Sequence, residues 1–99
     1  MTLGGTLRIE SKDNLTLENK TVASESKDQG GVIHVDLGAT ANTLTIADSF
    51  NAKDFAGKLR LSNGTYTFSQ TAQTNGISSY AVGAGGQFNV TGSETVNLD

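Results

Sequence analysis

The sequence predicts an all-β chain built as a parallel β-solenoid of about four rungs, and three observations carry that prediction. A pentapeptide Gly-x-Φ-x-Φ, with Φ apolar, opens at Gly5, Gly31, Gly57 and Gly86, with starts 26, 26 and 29 residues apart. The first apolar residue of a second series of alternating segments follows the first apolar residue of each copy by 7 to 11 residues. The 99 residues include 13 threonines and 12 glycines but no proline, cysteine or tryptophan. Strict alternation puts one set of side chains inside and the other outside. A unit of this size cannot bury its apolar face alone, whereas stacked units share a continuous core.

Taken in order, the first strand is Gly5-Thr6-Leu7-Arg8-Ile9, and Ser11-Lys12-Asp13-Asn14 turns the chain into Leu15-Thr16-Leu17. Residues 21–23 open a looser third arm. The cycle repeats with Gly31-Val32-Ile33-His34-Val35, a Gly- and Asn-bearing turn over residues 38–42, and Leu44-Thr45-Ile46. Residues 47–56 hold the only plausible helix; they read as a loop or single turn, with residues 50–55 assigned to the third arm. Next come Gly57-Lys58-Leu59-Arg60-Leu61, the turn Ser62-Asn63-Gly64, and Tyr66-Thr67-Phe68. The last cycle assigns residues 80–82 to the third arm. It assigns residues 86–90 to the first series and residues 96–98 to the second, with residues 83–86 as a tight turn. Turn residues fall at these joints because Gly and Asn tolerate positive φ and Ser and Asp bond their own backbone.

In this register Leu7, Ile33, Leu59 and Phe88 stack, with Ile9, Val35, Leu61 and Val90 beside them. Leu15, Leu44, Tyr66 and Val96 form the second stack, with Leu17, Ile46, Phe68 and Leu98. All sixteen positions are apolar. The competing architecture is an antiparallel β-sandwich of nine short strands, a stand-alone carbohydrate- or protein-binding module using loops such as residues 72–76.

Residues 55–68, Phe-Ala-Gly-Lys-Leu-Arg-Leu-Ser-Asn-Gly-Thr-Tyr-Thr-Phe, resemble the F-x-G-x-L-x-L-x-x-G-x-Y/L-x-F/L rung of autotransporter passengers, and residues 42–46 resemble the strand before such a rung. Residues 5–9 with 14–17 are similar to rungs of autotransporters and two-partner-secretion adhesins. The resemblance implies a right-handed three-faced β-helix on the surface of a Gram-negative bacterium, with roles in adhesion, autoaggregation and biofilm formation. It also implies that residues 1–99 are a single segment excised from a longer passenger. Met1-Thr2-Leu3-Gly4-Gly5 fits that expectation, having neither the basic stretch nor the apolar core of a signal peptide.

Catalysis, cofactors and metals are not expected. The one histidine, His34, points outward between Ile33 and Val35, and a catalytic base needs an orienting carboxylate and a pocket. A fragment of a carbohydrate-active solenoid enzyme would need clustered acids, and Asp36, Asp48 and Asp54 are dispersed. No EF-hand spacing, calcium nonapeptide or phosphate loop occurs. The net charge of −3 argues against a nucleic-acid partner, and no apolar run approaches the roughly 18 residues of a membrane span.

Two outward faces are the candidate binding surfaces. Arg8, His34 and Arg60, with Lys58 beside them and Asn89 at the end, form a cationic stripe on an acidic chain, suited to an anionic glycan or a neighbour's acidic surface. The plainer reading is a solvated face. Thr43, Thr45, Thr65 and Thr67 belong to a Thr/Asn ladder on the second face, where threonine is also an ordinary exposed strand residue. That ladder suits self-association, as do open sheet ends. Asn-x-Thr sequons stand at Asn14, Asn19, Asn63 and Asn89.

Overall fold

A computed structural model describes residues 1–68, 77–91 and 96–99. Among the described residues the chain forms eleven strands and no helix: β1 (Thr2–Leu3), β2 (Thr6–Glu10), β3 (Leu15–Leu17), β4 (Lys20–Ser24), β5 (Val32–Asp36), β6 (Thr43–Ile46), β7 (Phe50–Asp54), β8 (Lys58–Ser62), β9 (Gly64–Phe68), β10 (Ser79–Val82) and β11 (Gly86–Val90). They build three sheets. The first runs β10-β8-β5-β2, the second β11-β9-β6-β3 and the third β1-β4-β7. From β2 to β7 the chain visits first, second and third sheet in turn, then repeats the circuit. Each pairing between these strands is parallel. The antiparallel sandwich is therefore overturned; its proposed binding loop, residues 72–76, lies outside the described residues.

The 26-residue period is realised in register over the first three cycles. Leu7 lies opposite Ile33 and Ile33 opposite Leu59, while Ile9, Val35 and Leu61 form the parallel column. In the second sheet Leu15 faces Leu44, Leu17 faces Ile46 and Leu44 faces Tyr66.

The fourth cycle departs from the expected assignment. Ser79, not Gln87, lies opposite Lys58, so residues 79–82 continue the first sheet instead of the third arm. Residues 86–90 continue the second sheet, with Phe88 opposite Tyr66 and Val90 opposite Phe68. Leu98, expected in the second series, makes a parallel bridge to Tyr80. The circuit shortens because Asn63 alone connects β8 to β9, where six residues connect β5 to β6. Residues 47–56 also differ from the loop reading: after a turn at Asp48 and Ser49, residues 50–54 are strand β7. Phe50 and Ala52 point inward on it and are fully covered, so burial overrides the weak local preference of Ala, Lys and Asp for strand.

Three of the four corners between the first and second sheets hold one left-handed residue: Gly38 at φ 78°, Asn63 at φ 49° and Gly85 at φ 71°. Glycine and asparagine are the residues that enter that region at least cost. Gly57 has another reason to be glycine. A Cβ there would collide with the Gly31 and Gly30 carbonyl oxygens and the Phe55 ring, so the backbones of successive cycles touch at that corner.

Inside the three sheets Val22, Ile33, Val35, Leu37, Leu44, Ile46, Phe50, Phe55, Leu59, Leu61, Tyr66 and Phe68 are among the buried core side chains. Each large apolar side chain contributes about 1.5–3 kcal/mol on burial. Tyr66, Phe68, Tyr80 and Phe88 pack as an aromatic cluster with ring centroids 4.7 to 6.3 Å apart. The Tyr66 hydroxyl is buried there with no hydrogen-bond partner among the described residues, and burial pushes its pKa up from the ordinary 10.0.

Candidate functional site

Parallel in-register pairing turns the outward positions of the first sheet into columns. Arg8 lies opposite His34 and His34 opposite Arg60, at the ~4.8 Å spacing of neighbouring strands. Ala81 of β10 ends this column. Asn89, expected at that place, instead stands opposite Thr67 in the second sheet. The next outward column, two residues along each strand, is Glu10, Asp36 and Ser62.

These two columns interlock. Arg8 Nε donates to Glu10 Oε1 at 2.6 Å, one terminal nitrogen reaches Asp36 Oδ2 at 3.5 Å, and the other lies 3.0 Å from His34 Nδ1. A guanidinium can only donate, so His34 Nδ1 accepts, the ring is neutral and its proton sits on Nε2. That proton is donated to Ser62 Oγ at 3.0 Å. His34 is half-buried and engaged on both nitrogens, whereas the sequence placed it as a free solvent-facing residue. The Ser–His contact is not poised for nucleophilic catalysis, because the nitrogen facing Ser62 already carries its proton and the other is held by Arg8 in place of a carboxylate.

Burial lowers the His34 pKa below 6.5, and the charges of Arg8 and Arg60 lower it further. Asp36 is held below its ordinary 3.8, first by the Gly38 amide at 2.9 Å and then by Asn63 Nδ2 at 3.2 Å. Lys58 pairs with Asp99. Arg60 is exposed and has no ion pair among the described residues. The stripe is thus present as Arg8, His34, Arg60 and Lys58, but carboxylates compensate Arg8 and Lys58. Glu10, Asp36 and Ser62 complete the site, and the sequence carried their signal: each lies two residues after Arg8, His34 or Arg60, on the same face of an alternating strand.

The threonine ladder is also in register. Thr43 faces Thr65, Thr16 faces Thr45, and Thr67 faces Asn89. β6 pairs with β9 at Thr43 with Thr65 and at Leu44 with Tyr66. A shallow groove of about 280 Å³ follows Thr43, Thr45, Thr65 and Thr67. The Thr65 hydroxyl is committed to the Thr40 carbonyl at 2.7 Å, so the four hydroxyls are not an equivalent array.

Among the described residues no group of three His, Asp or Glu side chains converges to hold a metal ion, and no helix is long and apolar enough to cross a membrane. No family model, curated protein or solved structure matches the chain.

Proposed function

We propose that the chain is a segment of a right-handed parallel β-solenoid from a secreted bacterial surface adhesin, excised from a longer passenger, and that it acts as scaffold and contact surface in adhesion and biofilm formation. Its partner in this reading is an anionic surface glycan lying on the first sheet. Strands that recur on the same three sheets support the solenoid, and parallel crossovers favour the right hand. The observation that carries the functional reading is the in-register column Arg8–His34–Arg60. It repeats nitrogen-bearing side chains at strand spacing along a flat face, which matches a partner whose charges also repeat. The resemblance of residues 55–68 to a passenger rung supports the surface location.

The test is binding of the 99-residue chain to dextran sulfate and to neutral dextran at pH 5.5 in low salt. Retention on the sulfated polymer alone is expected, with about a tenfold loss in the Arg8→Glu, Arg60→Glu double variant, since exposed charges act at this range mainly when salt is low. Equal retention on both polymers, or an unaffected double variant, overturns the reading.

A further inference from the structure

We infer that the Arg8–His34–Arg60 column is a proton-gated site for a sulfated or carboxylated polysaccharide, with His34 as the gate. The inference rests on the glycan reading above and adds its regulation. The gate is visible in the hydrogen bonds. Neutral His34 accepts from Arg8, which is also held by Glu10 and Asp36. In that state one of the two arginines of the column is tied among acceptors of its own protein.

Protonation acts on one side of the ring only. The Nε2 proton already points at Ser62 Oγ, and that bond survives unchanged. Nδ1 gains a proton and faces the Arg8 guanidinium donor-to-donor, so the Arg8–His34 bond is lost. Three cations then stand on adjacent strands, an arrangement that in-register pairing makes unfavourable and that a bound polyanion relieves.

The groups facing His34 come from three strands. Arg8 and Glu10 lie on β2, Asp36 lies beside it on β5, and Lys58, Arg60 and Ser62 lie on β8. With Lys58 bound to Asp99, three fixed cations among the described residues meet three carboxylates, so their charge is balanced until His34 protonates. One proton therefore converts a neutral patch into a cationic one. By reciprocity, whatever factor protonation adds to polyanion affinity, the polyanion adds to proton affinity.

The experiment measures dextran sulfate affinity at pH 5.0 and 7.5, where the sulfates stay ionised, for the wild-type chain and for His34→Gln. Glutamine can accept from Arg8 and donate to Ser62 but does not titrate there. The wild-type chain is expected to bind about tenfold more tightly at pH 5.0, within the usual span of site-to-site coupling. The variant should bind equally at both. Because His34 is the only histidine, its ring proton NMR signal reports the linkage directly, and its pKa should rise by about one unit on saturation. Binding that is pH-independent in the wild type, or equally pH-dependent in the variant, overturns the gate while leaving the glycan reading in place. Absence of binding at both pH values overturns both.

Discussion

The Arg8 guanidinium and the His34 imidazole meet at 3.0 Å across the β2–β5 pair, with arginine the donor and histidine the acceptor. This contact depends on an uncharged ring, so it gives the fold a pH dependence whose direction can be worked out. Folding lowers the pKa of His34 below 6.5, through burial first and the neighbouring arginines second. Between the folded value and 6.5 the unfolded chain binds more protons than the folded one, so unfolding becomes easier as pH falls. Urea denaturation should show stability level above neutrality and declining below about pH 6.5. The His34→Gln variant should lack that decline.

Asp36 adds a second, more acidic phase of the same sign. Its pKa is depressed from 3.8 by the Gly38 amide and the Asn63 side chain, so its contribution is complete above 3.8 and is lost as pH falls through the folded value. Asn63→Ala removes one of the two donors. The acid limb of the stability profile should then be shallower, which denaturation between pH 2 and 5 would register.

Tyr66 buries a hydroxyl that finds no acceptor or donor among the described residues. An unsatisfied buried polar group costs about 1–3 kcal/mol. Tyr66→Phe keeps the ring in its cluster with Phe68, Tyr80 and Phe88 and removes that cost. Thermal or chemical unfolding should show the variant to be at least as stable as the parent, by up to about 1 kcal/mol. A destabilised variant would falsify the packing described for this ring.

Gly5 and Gly57 begin the same pentapeptide, yet alanine should act oppositely at the two. At Gly5 a Cβ meets nothing within 4 Å, so Gly5→Ala should be neutral or stabilise by about 0.4–1 kcal/mol through the unfolded chain. At Gly57 the Cβ would run into the Gly31 carbonyl oxygen, and backbone cannot give way as a side chain can. Gly57→Ala should cost about 1–3 kcal/mol or more. Comparing the two melting curves checks the corner contact without reference to any ligand.

How far the fold could be read from the chain differs along its length. Through Phe68 the spacing of glycine-led alternating segments marks which strands share a sheet, and the registers of Ile33 with Leu59 and of Leu44 with Tyr66 follow from it. Beyond Phe68 the same pattern misleads. Gly-x-Φ-x-Φ occurs in both the first and second sheets, because alternation records that a strand has an inside and not which wall it belongs to. The Phe88 segment therefore looked like another Leu59, while the strand paired with Leu59 is the one bearing Tyr80. The candidate site divides in the same way. Arg8, His34 and Arg60 could be placed in one column from their spacing, but the Arg8–His34 bond, the Ser62 contact and the role of Asp36 could not.

By itself, then, the sequence determined an all-β chain of alternating strands, the recurrence that brings Arg8, His34 and Arg60 to one face, and the glycines at the corners. Those properties follow from period-two alternation and repeat spacing, which are local and additive along the chain. Only the tertiary structure decided that Tyr80 follows Leu59, that Phe88 follows Tyr66 and that His34 is a neutral ring held between Arg8 and Ser62. Which wall the last strands join is set by their pairing with β8 and β9. The proton on His34 is set by a donor, Arg8, on one neighbouring strand and an acceptor, Ser62, on the other, and spacing along the chain encodes neither.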